Sequence, residues 1–166
     1  MTTEKIWRRT LAISTVAVAT VALSGCSILT QATKGMSDAV GPGPGTTQHV
    51  FSLTVGDCEA ASPAEGEVSE TTVIDCAEPH QGEIYAASYL PEGEFPGDAP
   101  IEAQAENDCS TEFELFVGAY VADSMYNFSW YYPTEESWVD GDREILCIAY
   151  NPDGEDIIGS LEGVAK

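Results

Sequence analysis

The groups in this chain that could do chemistry are few, and they are spread out. Cys58, Cys76, Cys109 and Cys147 fall in the part of the sequence rich enough in apolar residues to fold. None sits in a CxxC pair, so a metal site built from Cys58, Cys76 and His80 lacks the usual ligand spacing. Four cysteines in an exported domain point to two disulfides, with three possible connectivities. The pairing nearest in sequence, Cys58–Cys76 and Cys109–Cys147, is the expected one. His80 follows Pro79 and stands three residues before Glu83, close enough for a hydrogen bond across a short turn. That pair is also the one place where a general base could be assembled. Ser52 and Ser88 lack any nucleophile-elbow context, and there is no phosphate loop or dinucleotide fingerprint. No cofactor, metal or catalytic residue is therefore expected. Arg143 is the only basic side chain within the domain, and an ion pair with one of many carboxylates is its expected role.

The fifth cysteine belongs to an address. Lys5, Arg8 and Arg9 precede an apolar run from Leu11 to Leu23, which is a secretory signal too short to span a membrane comfortably. The run ends in Leu23-Ser24-Gly25-Cys26, an aliphatic residue, two small ones and a cysteine, which is the form of a bacterial lipobox. The expectation is a signal peptide over residues 1–25 and an acylated Cys26 as the mature N-terminus, its chains drawn from fatty acids such as palmitate. Two acyl chains give stable anchoring where one gives marginal binding, at about 0.8 kcal/mol per buried methylene.

Charge makes such an anchor necessary. The chain has 28 acidic and 6 basic side chains, a net of -22. Removal of residues 1–25 takes Glu4 with Lys5, Arg8 and Arg9, which leaves 27 acidic and 3 basic groups, a net of -24. That field repels nucleic acid, anionic lipid and anionic wall polymers alike. Attachment to a membrane must come from the lipid. Residues 26–48 then read as a tether, with Gly41-Pro42-Gly43-Pro44-Gly45 at its centre and too little apolar surface to fold. The folded domain is expected over residues 49–163.

Three strands are expected before the midpoint, at His49–Val55, Thr71–Cys76 and Glu83–Leu90. A long helix follows, with Asp98 as its cap, Pro100 in the first turn and Gly118 as its stop. Ile101, Ala105, Cys109, Phe113 and Phe116 form its apolar stripe, which carries one disulfide cysteine to the sheet. Tyr126, Phe128, Trp130 and Tyr132 alternate along a further strand and share one face. The simplest use of that face is core; the sharper one is a glycan-stacking platform with Tyr131 or Trp138 exposed. Thr134 caps a short helical turn, and Glu144–Tyr150 is a strand carrying Cys147. Asp140–Asp142 and Asn151–Asp156 are acidic turns that do not match a calcium-loop spacing. The fold class is α+β: a small, mainly antiparallel sheet packed with one long helix and stapled by two disulfides.

These residues resemble a known family. Val55-Gly56-Asp57-Cys58, then Asp75-Cys76-Ala77-Glu78-Pro79-His80-Gln81-Gly82-Glu83, are similar to the opening of the septum formation domain of actinobacterial envelope lipoproteins. The second half is similar too, with Cys109 in a helix ending at Phe113, Phe116 and Gly118. Tyr132-Pro133, Trp138, Gly141-Asp142-Arg143 and Cys147 follow in the same order. Glu59 stands where that family is often aromatic. The resemblance implies an extracytoplasmic domain with paired cysteines, linked to septation or envelope growth. The expected function is a membrane-anchored surface lipoprotein whose non-enzymatic domain binds an envelope protein or glycan, with His80, Glu83, Trp138 and Arg143 as candidate structural or binding residues. The competing expectation is an envelope enzyme using His80 and Glu83.

Overall fold

The computed structural model describes residues 45–63 and 66–166. The expected signal peptide, the lipidated Cys26 and the tether up to residue 44 lie outside the described residues. Six strands form one sheet: β1 (Thr46–His49), β2 (Cys58–Glu59), β3 (Glu70–Ile74), β4 (Gly82–Tyr89), β5 (Asn127–Tyr131) and β6 (Glu144–Tyr150). Their order across the sheet is β1-β3-β2-β4-β6-β5, and every pairing is antiparallel. The helices are α1 (Asp98–Val117) and α2 (Glu135–Val139). No described helix is long and apolar enough to cross a membrane.

The strands β4 and β6 pair along their whole length, and both faces of β6 are covered. Ile145, Cys147 and Ala149 turn toward α1, where they meet Ile101, Ala105, Cys109, Phe113 and Val117. Leu146 and Ile148 turn the other way, to Val50, Leu53, Val73 and Ile84. A strand buried on both faces reads as a continuous apolar run, and Ile145–Ala149 is one. Each fully buried Ile or Phe here contributes about 1.5–3 kcal/mol.

The buried stripe of α1 ends on Val117 rather than on Phe116, which is half-buried and stacks on Tyr85 at 5.4 Å between ring centroids. Gly97, not Asp98, occupies the cap position; Asp98 is the first helical residue, where its charge favours the helix dipole. Gly118 ends the helix in the left-handed region, φ 82°, and its N–H bonds the Glu114 carbonyl. Thr134 caps α2 through a reciprocal pair of bonds with Ser137.

Both disulfides join the nearest cysteines in sequence, Cys58–Cys76 and Cys109–Cys147, with Cα–Cα distances of 5.3 and 5.4 Å. The second ties the buried face of α1 to the centre of β6. Sulfurs bonded to each other are not thiolate ligands, so the cluster of Cys58, Cys76 and Glu83, all within 4.8 Å, is not a metal set.

The largest departure from expectation lies at the start of the domain. The strand expected at His49–Val55 is instead β1, from Thr46, followed by a single turn of 3₁₀ helix over Val50–Ser52. That turn drops Val50 and Leu53 into the second core, and the His49 ring accepts the Phe51 N–H at 3.4 Å. The other end of the domain is packed as well. Ile157 exchanges two backbone bonds with His80, Leu161 is buried, and Ala165 N–H bonds the Val117 carbonyl. Packing thus continues past the expected end at 163.

Candidate functional site

The structure gives His80 and Glu83 separate surroundings. His80 is fully buried, and its Nδ1 lies 2.9 Å from the Glu78 carbonyl. A carbonyl only accepts, so Nδ1 carries a proton, and Nε2 is buried without a hydrogen-bond partner. Glu83 makes no bond to it. The Glu83 carboxylate accepts the Ser160 hydroxyl on Oε1 and the Leu161 N–H on Oε2, both at 2.7 Å. The hydrogen bond expected between the two residues is replaced by one that reaches across 78 positions to tie down the chain's last segment.

Trp138 and Arg143 form a single unit. The guanidinium sits 3.6 Å above the indole centroid. Its Nη1 donates to the carbonyls of Trp138 and Asp142 at 2.9 and 2.5 Å. The indole N–H donates to the Gly93 carbonyl at 2.9 Å, and Phe95 meets the ring edge-on. The ion pair expected for Arg143 is present with Glu92 at 3.5 Å, but Glu92 is 89% exposed, so the pair adds little. The two short turns around this unit, Gly93 and Asp140–Asp142, are what the stack holds in place. Trp138 is only 6% exposed and is not available as a stacking platform.

Tyr131 is available. It projects from β5 on the face opposite α1, and its hydroxyl donates to Glu59 Oε1 at 3.0 Å. Glu59 is completely buried, and its Oε2 lacks a partner at hydrogen-bonding geometry. Burial pushes the Glu59 carboxyl above the usual carboxylate range, against the pull of the Thr71 and Tyr131 hydroxyls. The same burial, with Glu59 alongside, raises the Tyr131 hydroxyl and keeps it a donor. Gly82 packs closely here: a Cβ would stand 3.1 Å from Ile148 Cγ2 and 3.4 Å from Glu59 Oε2, so those side chains would have to give by a few tenths of an ångström. The departure at position 59 that the sequence showed is thus a buried acid that positions Tyr131.

Glu59 also sets a pH dependence. Its folded pKa is raised, so its contribution to stability is complete in acid and is lost as pH rises through the folded value. Glu59→Gln keeps an acceptor for Tyr131 and cannot ionise. Its urea midpoint is expected to rise relative to the parent as pH goes from the carboxylate range to neutral, with the two converging in acid. A constant difference across that range contradicts the assignment.

Tyr131 faces an open groove of about 1000 Å³. Ser129–Tyr132 line it together with His49–Phe51, Gly66–Ser69, the first turns of α1 and the segment around α2. Among the described lining residues eight are carboxylates, including Glu67, Asp98, Glu102, Glu135 and Glu136, and none is Lys or Arg. The Tyr132 hydroxyl donates to Glu102 at 3.0 Å, which fixes one ring at the rim. Tyr126, Phe128, Trp130 and Tyr132 pack from the side of β5 against the main core, so the row is chiefly structural, with Trp130 and Tyr132 also reaching the groove. His80, Glu83 and Arg143 do not line it. The sequence marks Tyr131 by its alternation but does not show the groove, whose parts lie more than 80 residues apart.

Comparison with known proteins places this sequence in a group. No solved structure matches the chain. Two curated mycobacterial proteins, each named "Putative lipoprotein LppN", from Mycobacterium tuberculosis and Mycobacterium bovis, are 26% identical over 135 residues. The matched region covers 79% of this chain and 74% of theirs. The family model described as septum formation matches residues 25–164, which takes in both disulfides, the Trp138–Arg143 unit and the groove. The chain belongs to the septum formation family.

Proposed function

We propose that this domain is the non-enzymatic binding module of a lipid-anchored protein on the outer face of the cell membrane, acting in septation or envelope growth. Its ligand is held in the groove beside β5. The observation that carries this reading is the groove itself: an open volume of about 1000 Å³ on a small domain, with aromatic rings among solvated carboxylates. Ring faces and a charged rim are the materials of recognition. The enzyme reading finds less support. His80 is sealed from solvent and Glu83 already accepts two bonds. Glu59, the carboxyl that burial raises, lies behind Tyr131 and does not line the groove.

His80→Ala separates the two readings. A buried ring that only fills space and bonds one carbonyl should cost about 1–3 kcal/mol of stability on removal. Complementation of a deletion strain should persist in proportion to the folded fraction. A variant that melts like the parent, is exported at the same level and is biologically dead would restore the enzyme reading.

The anchor is tested separately. Cys26→Ala should block acylation and release or stall the protein, since charge gives so acidic a mature chain no hold on an anionic bilayer. A membrane form with an unmodified N-terminus by intact mass would refute the lipidation.

A further inference from the structure

The groove runs along an open sheet edge. The strand β5 pairs only with β6, and its other side has no neighbour in the sheet. Ser129, Trp130, Tyr131 and Tyr132 all line the groove, although successive side chains of a strand point to opposite faces. Consecutive residues can share a wall only if the backbone edge between them is part of that wall.

The hydrogen bonds show which amides face outward. The Phe128 N–H turns to its neighbour's side chain, Asn127 Oδ1, at 2.8 Å, and does not join the ladder to β6. Alternation then puts the N–H and C=O of Trp130 on the open edge, in the groove. Asn127 covers one end of the edge, and the remainder stays open. Exposed edges are usually blunted by lysine, proline or a bulge. None of these occurs in Asn127–Tyr131.

Charge selects what can lie there. Eight carboxylates line the groove, among the described residues, with no Lys or Arg to offset them. The mature chain is strongly acidic throughout, so the groove repels its own kind and any anionic polymer. A neutral glycan could use the rings but would gain nothing from the field or from an unpaired N–H and C=O in strand geometry.

We infer that the groove takes an extended, lysine- or arginine-rich segment of a partner protein, which adds as a strand to β5 while its basic side chains meet the carboxylates. This rests on the binding reading above and narrows it to a cationic peptide recognised through its backbone. The contacts require alternation and charge rather than one sequence, so a model peptide is a fair probe.

The test uses the full lipidated chain in detergent and a short synthetic peptide of alternating Lys and Val. A second peptide carries N-methyl groups on the backbone amides of one edge, and a third probe is a neutral wall-glycan fragment. The first peptide should bind at low salt, slow hydrogen exchange at the Trp130 amide, and weaken by about tenfold or more as salt shortens the screening length from about 10 Å to about 3 Å. N-methylation on the pairing edge should cost at least about tenfold, equivalent to about 1.4 kcal/mol. The double variant Glu67→Lys/Glu136→Lys, at two exposed positions of the rim, should lose binding with its melting unchanged.

Equal binding of the N-methylated peptide, unchanged exchange at Trp130, or binding indifferent to the two charge reversals would each overturn the inference. So would failure of the Lys-Val peptide to bind at low salt. Groove binding of the glycan fragment in place of the peptide would overturn it too, while leaving the binding module intact. If neither probe binds and the rim variant still complements a deletion strain, the inference and the binding reading fall together.

Discussion

Replacing Cys109 and Cys147 together by alanine is expected to bring the domain close to unfolding. The bridge closes a loop of 38 residues, and the chain-entropy relation gives about 4 kcal/mol for a loop of that length. Both cysteines are buried, at 0% and 1% exposure, so the substitution also leaves two small voids between α1 and β6. A domain of this size has about 5–15 kcal/mol in total. The urea midpoint should therefore fall by a large fraction of its value. The shorter bridge, Cys58–Cys76, spans 18 residues and should matter less, at about 3 kcal/mol. Urea titration of the two double variants beside the parent checks both size and order. A Cys109/Cys147 variant within about 1 kcal/mol of the parent would contradict the view that this bridge holds helix to sheet.

Trp138→Ala should cost about 3–5 kcal/mol, as for other large aromatic truncations in a core. Three things go at once: the packing against Phe95, the bond to the Gly93 carbonyl, and the surface on which Arg143 lies. The guanidinium is only 12% exposed, and without the indole it is left over a void. Trp138→Phe keeps a ring beneath Arg143 and loses mainly the Gly93 bond, so its cost should be nearer 1 kcal/mol. Arg143→Lys should be more damaging than its retained charge implies, because an ammonium neither stacks flat nor donates to two carbonyls in one plane. Thermal unfolding of the three variants gives the ranking. If Trp138→Ala and Trp138→Phe are equally mild, the stack is not a structural unit.

Much of the fold is legible in the sequence because it is written in local periodicity. The α1 stripe, the β6 run and the alternation around Trp130 each repeat at the spacing of the element that carries them. The disulfide partners follow from proximity in the chain. What was not legible depends on encounters between distant residues. Glu83 sits three residues from His80, yet its partners are Ser160 and Leu161. Nothing near position 83 announces them. The two-residue strand β2 is too short for any pattern, and it exists because β3 and β4 flank it. Val50–Ser52 has strand-forming residues but turns, because Val50 and Leu53 gain more by entering the second core. The role of Glu59 required knowing that Tyr131 would arrive beside it from 72 positions away. The groove is further still from local reading, since its lining comes from both ends of the domain.

The most direct test of the binding reading is site-specific photocrosslinking in living cells. Phe51 lines the groove and is 58% exposed, so a photoreactive phenylalanine analogue there changes little. Leu115, on the outer face of α1 and 74% exposed, does not line the groove and serves as the reference position. Irradiation should give a discrete adduct from position 51 that is absent from position 115, and that disappears in the Glu67→Lys/Glu136→Lys background. Identical adduct patterns from the two positions, or none from position 51 in cells where the labelled protein complements the deletion, would contradict the claim that this groove is where the protein works.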